Sequence, residues 1–268
     1  MTRGFLWFVQ NNSDTDYVNL SIALARSIKK HNKINSICVV TDEKSQFHSE
    51  YIDQILVLDE DSSSEHTIKF ANEHKAFALS PFTHTIKLEA DMLFTSSTDW
   101  WWDYLCQHDL VFSVNCRNYR DEIVEDKKYR QLFQHNHLPN IYNGLTYFRR
   151  SQRAMQFFTI CKSITTNWRI VQQELLINCH DAYPSTDVVY ALAYRIMDPL
   201  KEQLIDYPWF KFIHGKNGIN DVPTSQDQYN YLYPIALDDR IYLGGNRLHR
   251  IWHYHDKKIP EVLNGRIF

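Results

Sequence analysis

A chain of 268 residues, 44% hydrophobic and 23% charged, has the composition of an ordinary globular protein and enough length to bury a sizeable core. A net charge of −3 gives no bulk electrostatic pull toward nucleic acid, although a local basic patch stays open. Glycine is scarce at seven residues, and neither G-x-G-x-x-G nor G-x-x-x-x-G-K-[ST] occurs, which argues against a dinucleotide-binding fingerprint and a P-loop.

The first apolar run, GFLWFVQ (4–10), reads as a buried strand. It is too short for a signal peptide, and no later run is long enough to span a bilayer, which predicts a cytoplasmic protein without a membrane span. The loop NNSDTD follows, with Asp14 or Asp16 as a helix N-cap. YVNLSIALARSIKKHN (17–32) carries a broad apolar stripe and ends in Lys29, Lys30 and His31, where cations suit a helix C-terminus. SICVVTDE (36–43) and QILVLDE (54–60) read as buried strands, EHTIKFANEHKAFAL (65–79) as a helix stopped at Pro81, and THTIKLEADMLF (83–94) as the next strand. Apolar strands alternating with helices are the signature of a parallel sheet covered on both faces.

The second half is less regular. DLVFSVN (109–115) and IYNGLTYF (141–148) read as strands, SQRAMQFFTICKSITTNW (151–168) as a helix with Met155, Phe158 and Cys161 on one side, STDVVYALAYRI (185–196) as another helix, and FKFIHGKNG (210–218) as a strand and turn. A histidine-rich segment, IYLGGNRLHRIWHYHDKKIPE (241–261), comes last. With no repeat, low-complexity tract or linker, residues 1–268 read as one domain. The five cysteines form no C-x-x-C pair and indicate neither a zinc knuckle nor a disulfide framework. Aromatic residues reach 14%, which reads first as an aromatic core; in TDWWWDYL the tryptophans read as packing, with Trp101 and Leu105 on one helix face.

Two acids, Glu89 and Asp91, end the 83–94 strand. Alternation along a strand would point both the same way, at the edge where open α/β sheets bind ligands. Paired carboxylates there need a cation, a proton or strong hydrogen bonds, and Mg²⁺ or Mn²⁺ is the simplest remedy; an exposed acid beside a turn-capping acid is the alternative. HRIWHYHDKK (249–258) offers partners: His249, His253 and His255 for a metal or phosphate, and Lys257 and Lys258 for a phosphate leaving group or a solvated basic turn.

Taken in order, these motifs resemble the GT-A glycosyltransferases that use nucleotide-sugar donors, most closely the family 8, glycogenin-like branch. The resemblance covers almost the whole chain. It rests on FVQNNSDTDYVNLSIALARSIKKH, where Tyr17 matches the aromatic that stacks on uracil; on Lys75 in NEHKAFAL; on LEADMLF, with Glu89 and Asp91 in the Asp-x-Asp positions; on Asn143 and Gly144 in IYNGLTYFRR; on Asp187 in STDVVYALA; and on His253 in WHYHDKKIP, with Lys258 and Pro260 near the family's Lys-Pro. It departs from the pattern at Glu89, at the displaced Lys258 and at Asp256, where the family has glycine; His255 therefore rivals His253 as a ligand.

The resemblance implies a Rossmann-like, mostly parallel central sheet with helices on both faces, a nucleotide-binding half over about 1–115 and an acceptor half over about 116–268. It implies a UDP-sugar donor, Mn²⁺ or Mg²⁺ held by Glu89, Asp91 and a C-terminal histidine, and donor contacts from Tyr17, Lys75 and Lys257. Asn143 and Asp187 would touch the donor sugar, Lys258 would help the leaving group, and transfer would retain anomeric configuration. The acceptor would be cytoplasmic: a glycan, a protein or a hydroxylated DNA base. RNYRDEIVEDKKYRQ (117–131) and YFRRSQR (147–153) mix basic and aromatic residues as a polyanion surface or a charged helix face would. Two other classes stay open: an inactive nucleotide-sugar or nucleic-acid binding module, and a nucleotidyltransferase, which usually has a Gly-rich loop where NNSDTD has none.

Overall fold

A computed structural model describes residues 2–61, 63, 69–124, 130–198, 204–216, 232, 234–238 and 240–263. In chain order the strands are β1 (Arg3–Val9), β2 (Ile37–Thr41), β3 (Gln54–Val57), β4 (His84–Leu88), β5 (Met92–Leu93), β6 (Leu110–Val114), β7 (Ile141–Arg149), β8 (Phe212–Gly215), β9 (Ile235–Leu237), β10 (Arg240–Leu243), β11 (Asn246–Arg247) and β12 (Ile251–Tyr254). The central six-stranded sheet has the order β3-β2-β1-β4-β7-β6. Its first four strands are parallel, and β7 runs antiparallel to both neighbours. Two three-stranded sheets flank it, β5-β12-β8 and β11-β10-β9.

The helices are α1 (Tyr17–His31), α2 (Ala76–Leu79), α3 (Trp101–Leu105), α4 (Gln131–His135), α5 (Gln152–Thr166), α6 (Trp168–Leu175), α7 (Thr186–Met197) and α8 (Ile259–Leu263). Alternation along β1 explains how they cover both faces. Phe5, Trp7 and Val9 join one buried cluster with Leu24, Ala25 and Ile28 of α1 and Trp101, Trp102 and Leu105 of α3. Leu6 faces the opposite cluster, built by Phe157, Phe158 and Cys161 of α5 and Val188 and Tyr190 of α7. The expected α/β class with a mostly parallel central sheet is therefore present.

The helix ends follow local chemistry. Asp16 accepts from the Val18 and Asn19 N–H groups at 3.1 and 3.2 Å and starts α1, which selects it over Asp14 as the cap. Ser185 caps α7 by accepting from the Val188 N–H at 3.4 Å.

Four expectations are corrected. The 83–94 strand divides: β4 stops at Leu88, residues 89–91 turn, and β5 leaves the central sheet to pair with β12. The 65–79 helix falls partly outside the described residues, and its described part is a 3₁₀ turn over Lys69–Lys75 followed by the single α turn of α2. β3 lies at the sheet edge and is only partly buried. Met155, expected beside Phe158 and Cys161, is 51% exposed, whereas those two are buried. Residues 125–129 of the basic 117–131 segment and 217–218 of the predicted 210–218 turn lie outside the described residues.

The five cysteines are free. No described helix is long and apolar enough to cross a membrane.

Trp101 and Trp102 pack as expected. Trp102 meets Phe5 edge-on at 5.7 Å and Tyr147 at 6.4 Å, while Trp100 remains 45% exposed against Trp209. Because Trp102 of α3 is wholly buried against β1 and β7, Trp102→Ala should lower stability by about 3–5 kcal/mol, read as a shifted midpoint in chemical denaturation.

Candidate functional site

From β1 the sheet grows to β2 on one side and β4 on the other, so a crevice opens past the C-terminal ends of β1 and β4. A cavity of about 490 Å³ lies there, lined by Phe8, Gln10, Asn12, Tyr17, Glu73, Glu89, Ala90, Asp91, His253, His255 and Lys257. That volume falls within the range of about 300–1,000 Å³ usual for small-molecule sites. A smaller cavity of about 200 Å³ shares Glu89, His253 and His255 with the first and adds Tyr142, Asn143, Gly144, Ser185, Thr186, Asp187, Phe212 and His214.

The turn after β4 carries both acids, so Glu89 and Asp91 converge through a turn and not through strand alternation. β12 inserts between β5 and β8 and sets His253 opposite Met92, one residue from Asp91. His253 Nε2 consequently lies 3.3 Å from Glu89 Oε2 and 3.2 Å from Asp91 Oδ1. Lys257 Nζ pairs with Asp91 Oδ2 and sits over the Tyr17 ring, 5.7 Å from its centroid. Ligand atoms of Glu89, Asp91 and His253 all lie within 4.8 Å of one another.

Burial and charge shift these groups in different directions. Burial raises the Glu89 carboxyl, with His253 opposing it. Burial also pushes Asp91 up, but His253 and Lys257 together hold it well below the ordinary carboxylate range. For His253, burial disfavours the imidazolium, yet Asp91 and Glu89 outweigh it and raise the group. The same contest raises Lys257, whose partner Asp91 overcomes its burial. His255 goes the other way: burial and the neighbouring His253 push it down to about 3. Burial also raises the Tyr17 hydroxyl.

The wall of the smaller cavity is organised by Asp187. Its Oδ1 accepts from the Asn143 N–H at 2.8 Å and its Oδ2 pairs with Arg130 Nη1 at 2.8 Å. Arg130 is buried and stacks against Tyr142, its guanidinium carbon 3.7 Å from the ring centroid. Gly144 lets Glu89 approach, since a Cβ there would stand 2.8 Å from Glu89 Oε2 and 3.0 Å from Met92 Cε.

The residues expected from the sequence divide in two. Tyr17, Glu89, Asp91, His253, His255 and Lys257 line the larger cavity, and Asn143 and Asp187 line the smaller one. Lys75 instead donates to the Glu60 carbonyl, and Lys258 is exposed with its backbone N–H on Asp256 Oδ1; neither lines either of these two cavities. One turn of chain explains Lys258: Asp256 draws the chain into a turn that aims Lys257 inward and the next side chain out.

Four residues escaped sequence reading. His214 stands in register with His253 on β8. Arg130 looked like part of a charged surface. Glu73 lines the larger cavity in an ion pair with Lys87, which is wholly buried near the C-terminal end of β4. A lysine inside the apolar strand HTIKL was the available signal, because a buried ammonium requires a partner. Gln10 donates to Asp42 at 3.2 Å and to Asp61 at 3.1 Å, fixing the loop beyond β1.

No protein-family model matches this chain, and no curated protein matches it.

Gly144→Ala tests the packing under Glu89. The added methyl should push the carboxylate away from His253 and so lower the raised imidazole pKa toward its ordinary value. A histidine-resolved NMR titration measures it; an unchanged or higher pKa in a folded variant would show that Glu89 keeps its place.

Proposed function

We propose that this chain is a metal-dependent glycosyltransferase of GT-A type, taking a sugar from a nucleotide-sugar donor, with UDP-sugars foremost. The observation that carries this reading is the convergence of Glu89, Asp91 and His253 within 4.8 Å on a cavity that also exposes Tyr17 and Lys257. Two carboxylates and an imidazole fit a hard divalent cation such as Mn²⁺ or Mg²⁺. When bound, that cation supplies a Lewis acid for the donor's diphosphate.

The protein's own groups take the remaining roles in this proposal. Tyr17 presents its ring to the base. Lys257, already aimed into the cavity, takes the leaving-group role that the sequence had shared with Lys258. Asp187 is held by Arg130 and the Asn143 N–H, so it is positioned to accept from sugar hydroxyls in the smaller cavity. Retention of configuration and an acceptor that is a glycan, a protein or, third, a hydroxylated DNA base follow from the resemblance. For DNA, two of the expected basic residues are already paired with acids of the same chain: buried Arg130 with Asp187, and the partly exposed Arg149 with Asp109 at 2.7 Å.

One contact favours a second reading. The ion pair with Lys257 balances Asp91 with the chain's own charge, as a nucleotide-binding module independent of cations would require.

Calorimetric titration of UDP with and without Mn²⁺ separates the two. The transferase reading expects binding that depends on Mn²⁺, its loss in Asp91→Asn, and release of UDP from at least one UDP-sugar. Equal binding without the cation, and no turnover, would favour the module. Absence of UDP binding in both conditions would sink both readings.

A further inference from the structure

β8 and β12 are adjacent parallel strands, and His214 and His253 are direct register partners. Side chains in register on neighbouring strands share a face, and a residue two positions along returns to it. His255 follows His253 by two, one residue past the end of β12. The three imidazoles stand together, with ring centroids 4.9 Å apart for His214–His253, 5.1 Å for His253–His255 and 5.2 Å for His214–His255. One nitrogen from each ring lies within 4.8 Å of the other two.

Two of these rings carry buried nitrogens with no hydrogen-bond partner among the described residues, Nδ1 of His253 and Nε2 of His255. Such atoms are costly to leave unmatched. His253 is 7% exposed, and its other nitrogen, Nε2, already faces Glu89 and Asp91. A carboxylate behind a histidine whose second nitrogen faces a cluster of donors is the arrangement that orients a metal-binding imidazole.

We propose that His214, His253 and His255 form a binding site for a borderline divalent cation, zinc in the first instance, distinct from the Glu89–Asp91–His253 group. Glu89 and Asp91 meet His253 at Nε2, so the proposed site uses its unmatched Nδ1. Imidazole donors favour zinc, whereas carboxylates favour Mg²⁺ and Mn²⁺. Zinc–nitrogen bonds of about 2.0–2.1 Å place tetrahedral ligands about 3.4 Å apart, so the rings close by at most about 1.4 Å, through side-chain rotation. All three rings line the smaller cavity, which leaves the fourth position open to water or to a bound ligand.

Zinc binding here does not depend on sugar transfer. The full chain, stripped with a chelator, is dialysed against zinc chloride, and the bound metal is examined by zinc K-edge X-ray absorption. One equivalent of zinc with three imidazoles is the expected result, and His255→Ala should remove one imidazole from the spectrum. Asp91→Asn should keep the three imidazoles but weaken binding by about 10–100-fold, through loss of the orienting carboxylate. A spectrum with one imidazole and oxygen ligands would place zinc on the carboxylates and overturn the proposal, as would the absence of bound zinc. Both decisive readouts use the unmutated chain, so poor folding of a variant does not blur them. UDP binding with Mn²⁺, measured on the stripped chain before zinc is added, reports separately on the transferase reading.

Discussion

Asp91 is met by charge from 166 residues downstream, and the arrangement of the cavity depends on that meeting. Its Oδ1 faces His253, its Oδ2 faces Lys257, and its backbone carbonyl accepts from the Tyr254 N–H at 3.2 Å. Two carboxylates at the mouth of a crevice repel one another, and an acid this enclosed cannot rely on water for compensation. The chain answers by folding its C-terminal strand against the short strand that follows the acids. β12 then has only one side left for β8, and that pairing brings His214 to the same face. The charge requirement of one turn therefore accounts for a sheet of three strands drawn from distant parts of the sequence.

The same logic recurs around the cavities. Glu73 is paired with Lys87, Asp187 with Arg130, and Asp91 with Lys257. Buried pairs of this kind are close to neutral for stability compared with apolar packing, while removal of one partner is strongly destabilising, by about 3–5 kcal/mol. Their contribution is positional: each acid is held at one place on the wall. Asp187 shows this most clearly, since the Asn143 N–H fixes one oxygen and Arg130 the other, leaving the carboxylate little freedom to turn.

Periodicity made the central sheet and its long helices legible, because β1, β2, β4 and α1 bury whole faces and carry the matching patterns. The order of Tyr17, Glu89, Asp91, Asn143, Asp187 and His253 along the chain also marked residues that the fold brings to two adjoining cavities. What escaped was set by context beyond the segment. The 89–91 turn lies inside a run whose apolar pattern continues unbroken into β5, so local pattern could not mark the change of sheet. Arg130 and Lys87 carry charges that sequence reading assigns to solvent or to no role, and only their distant partners, Asp187 and Glu73, explain their burial. Lys257 and Lys258 are adjacent and chemically identical; the turn made by Asp256, not residue type, decides which of them faces the cavity. Gly144 entered the sequence pattern only as the neighbour of Asn143, whereas its missing side chain is what admits Glu89.

Asp91 also limits how the site can accept a cation. Both of its oxygens are already matched, one by an imidazole and one by an ammonium, and Glu89 shares the same imidazole nitrogen. For Glu89, Asp91 and His253 to hold a divalent ion together, His253 Nε2 would have to be free of its proton and Asp91 Oδ2 relieved of Lys257. Lys257 would then stand beside Tyr17 within the larger cavity, where a nucleotide's phosphates would require positive charge. In the proposed transferase that release turns a charge resident on the acid into a charge for the leaving group. The lysine that makes the isolated site neutral is thereby the same lysine the bound donor would need.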